Sequence, residues 1–231
     1  MTSSQQRSPY TPETARADLV HYGRKMAERG LVAGPGGNTS VRVGDVVYMK
    51  ASGVAMEDAQ PEDYIGVSLK SGDVIDGSKK PSCEVLMHLG IYLARPDMNA
   101  VAHTHPPTPI GVASTGKTIP PMFPDFVGLL GREIAWVPYV IPAGAEMANL
   151  VIEALRDHVS AVLANHGVVT VGYNLREAYF RTLVVDDAAK AYVAALAAGS
   201  PHVFTEEEIE AVDNLGAEDY RRALLRGEIR T

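Results

Sequence analysis

Hydrophobic positions in the first third of the chain predict one helix followed by two hairpins. From Thr11 the apolar residues recur three or four positions apart, which is typical of an amphipathic helix, and Gly30 stands where such a helix would end. Residues 34–40 are rich in glycine and are expected to form a loop. Four short strands are predicted to pair as two hairpins, at residues 40–43 with 46–50 and at residues 65–69 with 74–75.

The rest of the chain mixes helices with short apolar runs. Ser82 is expected to cap a helix that stops before Pro96 and buries an apolar face, formed by Val85, Leu86, Leu89 and Leu93. Further strands are predicted at residues 99–105, 137–140, 159–164 and 168–171. Further helices are predicted at residues 145–155, 175–198 and 205–226, and the proline-rich residues 119–124 are expected to be a loop.

This order of elements predicts an α/β protein. Because the first four strands pair as hairpins, a parallel βαβ fold is disfavoured, and we expect a mixed or largely antiparallel sheet between helical layers. Residues 11–231 are predicted to form a single domain, preceded by a loose polar tail at residues 1–10.

Composition and charge narrow the classes of function. The 231 residues are 46% hydrophobic and 21% charged, as in an ordinary globular protein. A net charge of −7 disfavours a nucleic-acid-binding surface, and no run approaches the roughly 18 apolar residues of a membrane span. The single cysteine, Cys83, excludes an intrachain disulfide, and the polar N-terminus has no secretory signal. We therefore expect a cytoplasmic protein that acts on a small molecule rather than on nucleic acid or a membrane.

Three histidines are candidate metal ligands. His103 and His105 are two positions apart at the end of an apolar run, so on a strand both imidazoles would project from the same face. His166 follows another apolar run, at a break marked by Gly167. Three histidines with an open fourth position are typical of a catalytic zinc site. The alternative for each is a polar residue satisfied at a strand end or a turn. The other histidines are interpreted as structural or exposed, namely His21, His88, His158 and His202.

Glu84 is the candidate acid/base residue. It lies in the first turn predicted for a helix, where the helix dipole favours a carboxylate in any case. A catalytic role requires that the carboxylate point into the metal cleft, and the alternative is simple compensation of the helix charge.

Three small turns are candidates for binding an anion. They are the glycine-rich loop before Asn38, the pair Ser52-Gly53 and the pair Ser82-Cys83. Successive backbone N–H groups in such turns can bind phosphate or carboxylate, although each turn alone is more often only a turn. The glycine-rich loop matches neither the Walker pattern nor the dinucleotide fingerprint.

Taken together, five short motifs make the chain similar to a known family. In chain order they are Gly37-Asn38-Thr39-Ser40, Ala51-Ser52-Gly53, Pro81-Ser82-Cys83-Glu84, Ala102-His103-Thr104-His105 and Asn165-His166-Gly167. With these motifs the chain resembles the class II aldolase/adducin family from about residue 12 to residue 198. The resemblance implies a three-layer α/β/α sandwich with a mainly antiparallel central sheet. It also implies a homotetramer with active sites between subunits.

The resemblance further implies a role for each motif residue. His103, His105 and His166 would bind Zn²⁺, with Mn²⁺ or Co²⁺ as the alternative ion, and Glu84 would be the catalytic acid/base. The residues implied to bind substrate are Asn38, Ser52, Gly53, Ser82, Cys83 and Asp125.

Departures from the family pattern leave the substrate open. Relatives commonly carry a second serine where this chain has Cys83. Residues 123–126 contain no tyrosine, whereas the aldolases supply one there to a neighbouring subunit. The family also includes L-ribulose-5-phosphate 4-epimerase, and Asp125 falls near an aspartate that this epimerase uses. Glu84 is nevertheless as in the aldolases, because the epimerase has an aspartate at that position. Tyr220 is the candidate for the C-terminal catalytic tyrosine of the aldolases.

The function implied by the resemblance is zinc-dependent retro-aldol cleavage of a small hydroxy-carbonyl compound through a metal-stabilised enediolate. A sugar phosphate such as L-fuculose 1-phosphate is the expected substrate. An epimerase, a dehydratase or a decarboxylase of keto acids or aromatic acids could use the same metal site. A non-catalytic adducin-like binding domain is the second alternative, and the presence of all three histidines together with Glu84 favours catalysis over it.

Overall fold

A computed structural model describes residues 10–229 of the chain, and a mixed sheet lies at its centre. Within those residues the strands are β1 (Asn38–Val43), β2 (Val46–Lys50), β3 (Tyr64–Ser68), β4 (Val74–Asp76), β5 (Ala100–Thr104), β6 (Ala135–Val137), β7 (Ser160–Leu163) and β8 (Gly167–Gly172). They lie in the order β4-β3-β2-β1-β5-β8-β7-β6. Neighbouring strands run antiparallel, except that β6 and β7 are parallel.

Helices cover both faces of this sheet. They are α1 (Pro12–Glu28), α2 (Val85–Ala94), α3 (Pro107–Ser114), α4 (Pro124–Leu130), α5 (Ala145–Ala154), α6 (Leu175–Ala198), α7 (Glu206–Asp213) and α8 (Gly216–Arg226). Helices α2 and α5 share a core with one face of the sheet, whereas α1, α3, α4 and α6 pack against the other face. The predicted α/β/α sandwich with a mainly antiparallel sheet is therefore confirmed.

Strand β5 explains how the sheet places candidate site residues. Val101 packs in the core beneath α2 and α5, whereas Ala100 and Ala102 pack on the opposite face. Because side chains alternate along a strand, His103 shares the face of Val101. Its imidazole is therefore directed to the layer that contains α2, and Glu84 is the residue immediately before that helix.

Most of the predicted elements are confirmed. Helix α1 begins after Thr11, whose hydroxyl accepts a hydrogen bond from the backbone N–H of Thr14 at 3.3 Å. Both hairpins form, and α6 has the predicted bounds. Helix α5 lies within one residue of its prediction.

The prediction for α2 is wrong in its cap and in half of its buried face, since Leu89 and Val85 do pack in the core. The N-cap is Glu84 rather than Ser82, and the predicted core residues Leu86 and Leu93 are 53% and 64% exposed. The buried face instead carries His88 and Tyr92 beside apolar neighbours. Hydrophobicity alone misplaces this face because the two polar side chains find buried hydrogen-bond partners on β1, which offset the cost of removing them from water.

Prolines account for two helices that the sequence pattern does not predict. Helices α3 and α4 each begin with a proline, Pro107 and Pro124. A proline is tolerated at the first helical position because that N–H would have no partner within the helix.

The start of β1 also differs from its prediction, since Asn38 pairs with His103 instead of belonging to the preceding loop. The helix predicted at 205–226 is two helices, α7 and α8.

Two expectations concern the chain ends and membranes. Residues 1–9 of the predicted tail lie outside the described residues, whereas Tyr10 accepts a hydrogen bond from the N–H of Leu175 at 2.9 Å. Between residues 10 and 229, none of the helices combines the length and the apolar character that crossing a lipid bilayer requires.

Candidate active site

His103 lies in the middle of the sheet and has its tautomer determined by a backbone contact. Strand β5 is paired on both sides, with β1 and with β8, and His103 is completely buried. Its Nδ1 lies 3.0 Å from the carbonyl oxygen of Val168. A carbonyl only accepts, so Nδ1 carries the proton and Nε2 keeps a free lone pair. This is the arrangement that a metal-ligating imidazole needs.

Two loops bring His105 and His166 to the same place. The N–H of His105 donates to the carbonyl of Leu31 at 2.8 Å, which holds the chain as it leaves β5. His166 lies in the turn between β7 and β8, where Asn165 adopts a left-handed φ of 57°. Gly167 completes that turn, and a Cβ there would lie 2.4 Å from the carbonyl oxygen of Thr104. The close approach of the two backbones therefore requires glycine.

The three imidazoles converge as ligands of one ion would. One ligand atom from each of His103, His105 and His166 lies within 4.8 Å of the others. The Nε2 atoms of His103 and His105 are 3.0 Å apart. Nitrogen ligands at about 2.0–2.1 Å from a tetrahedral zinc ion are about 3.4 Å from each other, so this donor set fits such an ion.

Burial favours the neutral imidazole at His103 and at His105. Burial lowers the pKa of His103, and it lowers that of His105 to about 3, helped by the neighbouring imidazoles. Neutral rings offer the lone pairs that a divalent cation needs. The predicted ligand set stays a prediction; the geometry of all three residues supports it, as does the neutral state favoured at His103 and His105.

Glu84 faces the histidines. Its Oε2 lies 3.3 Å from Nε2 of His103, and its Oε1 lies 3.3 Å from Nε2 of His166. The side-chain amide of Asn38 donates to Oε2 at 2.6 Å. Burial alone raises the pKa of the carboxyl, whereas attraction to His103 and His166 in their protonated forms and the hydrogen bond from Asn38 lower it, and the lowering prevails. Glu84 is therefore a carboxylate at neutral pH and is available as a base.

The candidate anion-binding turns lie next to one another. Ala51 and Pro81 form an isolated antiparallel bridge, and the N–H of Ser52 donates to the carbonyl of Lys80 at 2.9 Å. The Ser82 hydroxyl accepts from the N–H of Glu84 at 3.3 Å, which joins this pair of turns to the acid/base candidate. Gly53 has a φ of 79°, a conformation that glycine adopts readily. The exposed Cys83 lies in the same segment.

Lys50 is a residue of this region that the sequence interpretation missed. It is only 2% exposed, and its ammonium donates to the carbonyl of Pro35 at 3.1 Å and to that of Val54. It therefore connects the glycine-rich loop to the turn at Ser52-Gly53. The signal for it was available, since a lysine that ends an apolar strand directly before a small-residue turn needs buried partners.

Asp125 lies apart from this network within a single chain. It stands in the first turn of α4, and its carboxylate accepts from Arg221 of α8 at 2.6 Å. In the described part of the chain, the hydrogen bonds and ion pairs of Asp125 do not include a member of the histidine cluster. Tyr220 is 55% exposed on α8, beside that arginine.

The α/β/α sandwich brings three imidazoles together beside a carboxylate, and such a group could hold a metal ion. Residues 17–193 match the Class II Aldolase and Adducin N-terminal domain. The chain belongs to the class II aldolase and adducin family, and it is an enzyme of the class II aldolase type.

Individual relatives support this placement. The chain is 33% identical over 197 residues to the 5-deoxy-D-ribulose 1-phosphate aldolase of Bacillus thuringiensis serovar kurstaki, covering 84% of this chain and 92% of that one. It is 34% identical over 173 residues to the L-fuculose phosphate aldolase of Methanococcus maripaludis, covering 75% and 93%. A solved L-fuculose 1-phosphate aldolase superposes with a TM-score of 0.83 at 27% identity, covering 95% of this chain and 100% of that one.

Proposed function

We propose that the protein cleaves a phosphorylated ketose into two smaller carbonyl compounds in a reaction that depends on a divalent metal ion. One observation carries the proposal: three imidazoles converge within 4.8 Å, with the Glu84 carboxylate 3.3 Å from two of them. His103, His105 and His166 would hold the ion, with Zn²⁺ as the first candidate and Mn²⁺ or Co²⁺ as alternatives. The ion, when bound, supplies Lewis-acid polarisation of the substrate carbonyl.

Glu84 would move the proton in this reaction. In retro-aldol cleavage the hydroxyl on the carbon β to the carbonyl gives its proton to a base, and the bond between the α and β carbons breaks. The β carbon leaves as the carbonyl carbon of one product, and the electron pair of the broken bond stays with the α carbon of the other. That α carbon is then protonated. Glu84 is a buried carboxylate beside the ligand set, so it is placed to transfer the proton at that carbon. The hydrogen bond from Asn38 fixes the carboxylate in this position.

The phosphate group would bind at the adjoining turns. The proposed phosphate contacts lie on two segments joined by backbone hydrogen bonds, and Lys50 connects this region to the glycine-rich loop through Pro35. They are Ser52, Gly53, Ser82 and Cys83. The buried ammonium of Lys50 adds a positive charge at this place. Because two relatives are named for 5-deoxyribulose 1-phosphate and fuculose phosphate, we propose a deoxyketose 1-phosphate as the substrate class, with L-fuculose 1-phosphate the first compound to assay.

Asp125 remains a proposed substrate contact, together with the proposed four-subunit assembly and cytoplasmic location. Its carboxylate is exposed on α4 and paired with Arg221. In an assembly with sites between subunits, such a surface residue could face the substrate of a neighbouring copy.

The decisive experiment measures cleavage and metal content together. Purified protein is incubated with Zn²⁺, Mn²⁺ or Co²⁺ and then with L-fuculose 1-phosphate or 5-deoxy-D-ribulose 1-phosphate, and the products are identified by NMR. We expect fragments from carbon–carbon cleavage, and we expect Glu84→Gln to keep its metal but lose about 10²- to 10⁴-fold in kcat.

Glu133→Gln is the matched control. Glu133 also contacts a histidine, His158 at 2.7 Å, but its side chain is 70% exposed. We expect this variant to remain fully active. An epimerised product in place of fragments would favour an epimerase, and full activity of Glu84→Gln would refute the proposed role of that residue.

A further inference from the structure

We propose that His88 is a positioning residue that holds the Asn38 side chain in the one orientation that donates to Glu84. The inference rests on the proposed function of Glu84 and extends it to a residue outside the five sequence motifs. His88 lies on α2, one helical turn after Glu84, and is completely buried. The sequence interpretation assigned it no part in the site.

A continuous chain of hydrogen bonds connects His88 to Glu84. Asn38 donates from Nδ2 to Glu84 Oε2 at 2.6 Å, and its Oδ1 contacts Nε2 of His88 at very short range. On the other side of the ring, Nδ1 of His88 lies 2.7 Å from the hydroxyl of Ser40. The phenol of Tyr92 lies 2.8 Å from that hydroxyl and donates to the carbonyl of Ser40 at 2.9 Å.

The acceptors in this chain determine every proton position. The NH₂ group of Asn38 lies 2.6 Å from Oε2 of Glu84, which accepts from it, and the carbonyl oxygen of Asn38 faces Nε2 of His88. His88 must then carry its proton on Nε2 and leave Nδ1 unprotonated. Ser40 consequently donates its hydroxyl proton to Nδ1, and Tyr92 donates toward Ser40.

The reverse orientation of the Asn38 amide is disfavoured for the same reason. Turning the amide would place its oxygen against the carboxylate of Glu84 and its NH₂ group against the N–H of His88. Both contacts would lack a usable donor–acceptor pair, and buried polar groups without partners are strongly disfavoured. With the proton on Nε2, His88 acts together with the Glu84 carboxylate to select the Asn38 rotamer.

This selection matters for the proposed reaction because Asn38 lies directly opposite His103 in the pairing of β1 with β5. The amide thus holds the base beside a candidate metal ligand. Burial lowers the pKa of His88 to about 3, so the ring stays neutral over the working range and the network keeps one protonation pattern.

The test replaces His88 with phenylalanine, which fills the same space without nitrogen atoms. We expect His88→Phe to bind metal normally and to lose about 10- to 100-fold in kcat with little change in KM, as is usual when a partner of an active-site group is removed. His88→Gln keeps an N–H that can reach Asn38, and we expect its kcat to exceed that of His88→Phe by at least about threefold.

A matched control separates positioning from stability. Thr182→Val removes another fully buried hydrogen bond, between Thr182 and Thr170 at 2.8 Å, where α6 packs on β8. We expect this variant to lose thermal stability and keep its kcat. An equal loss of kcat in Thr182→Val at an equal loss of Tm would overturn the inference, as would wild-type kcat in His88→Phe.

A spectroscopic measurement tests the tautomer of His88 without requiring an activity assay. The ¹⁵N chemical shifts of the His88 ring in the wild-type protein are expected to report the Nε2–H tautomer. In Asn38→Ala, which removes the acceptor, we expect these shifts to change. If neither ketose phosphate is cleaved but the tautomer is found, the proposed function fails and the contact stands. If the Nδ1–H tautomer is found, the inference fails whatever the activity. This measurement needs only the wild-type fold, so it decides the matter even if His88→Phe does not fold.

Discussion

Glu84 and Asp125 both lie at the beginning of a helix, yet the fold gives them very different surroundings. Glu84 is the N-cap of α2, and its side chain is 6% exposed against two imidazoles and an amide. Asp125 lies in the first turn of α4, and its side chain is 57% exposed against a single arginine. The local sequence signal, an acid at a helix N-terminus, is the same for both.

The comparison shows that burial, rather than local sequence, distinguishes a candidate catalytic carboxylate from an acid that only caps a helix. A buried carboxylate must be surrounded by donors or cations, and such partners have fixed positions. An exposed ion pair is screened by water and contributes about 0–1 kcal/mol. Substitutions near Glu84 should therefore have large effects on activity and metal binding, and substitutions near Asp125 should have small effects.

The largest effect is expected for the candidate ligands. We expect His103→Ala to lose bound metal and roughly 10³-fold or more in activity, since Lewis-acid polarisation contributes several kcal/mol and each 1.4 kcal/mol is tenfold. Metal analysis of the purified variant and a steady-state assay measure both quantities. His158→Ala serves as the control, because that ring lies in a separate contact with Glu133. Full metal content in His103→Ala would contradict the candidate ligand set.

The next effect concerns the turn that carries His166. We expect Gly167→Ala to weaken metal binding by about 10- to 100-fold and to lower Tm. The reason is that the new Cβ would lie 2.4 Å from a backbone oxygen and 2.9 Å from the His103 ring. Gly111 of α3 has open space around it, so Gly111→Ala is expected to stabilise the protein slightly. Titration with Zn²⁺ and thermal melts compare Gly167→Ala with Gly111→Ala. Equal metal affinity in the two variants would contradict the claim that the tight turn at Gly167 positions His166.

A third prediction uses the pH dependence of stability. The folded pKa of His88 is lowered to about 3 by burial, whereas the unfolded value is about 6.5. The unfolded chain therefore binds more protons in this window, and stability falls as the pH decreases from about 6.5 toward 3, by at most about 1.4 kcal/mol per pH unit from this group. Urea unfolding of metal-free protein at several pH values should show a smaller slope in His88→Phe, and an unchanged slope would contradict a neutral, buried ring.

His158 should contribute a pH dependence of stability that is opposite in sign to that of His88. Partial burial opposes its protonation, but the hydrogen bond to Glu133 outweighs this and raises its pKa. Its stabilising contribution is present below the unfolded pKa and is lost as the pH rises through the folded pKa. Glu133→Gln should remove this contribution without affecting the acid-side slope from His88.

The smallest effect is expected at Asp125. We expect Asp125→Asn to raise KM by about two- to fivefold, with kcat and metal content unchanged, because an exposed carboxylate contributes at most about 1 kcal/mol to binding. Steady-state kinetics measure this split, and Arg221→Ala is the matched variant that frees the carboxylate from its partner. An unchanged KM in Asp125→Asn would remove that residue from the proposed substrate contacts.

Local sequence was a good guide wherever a regular period or a turn residue decided the structure. The recurrence of apolar residues predicted α6 to the residue, and the short apolar runs at residues 40–43 and 46–50 predicted the first hairpin. The spacing of His103 and His105 predicted imidazoles on one face, and the fold brings these imidazoles together. Periodicity works here because side-chain direction depends only on the local backbone.

The sequence by itself thus determined the α/β class, most of the elements and the candidate metal ligands. Only the tertiary structure decided which face of α2 is buried, and with it the partners of His88 and Lys50. The burial of His88 depends on partners on β1, up to 50 residues away in the chain, and that of Lys50 depends in part on Pro35, 15 residues away. No local pattern records such partners, because the free energy that favours a buried polar group arises only when both segments meet.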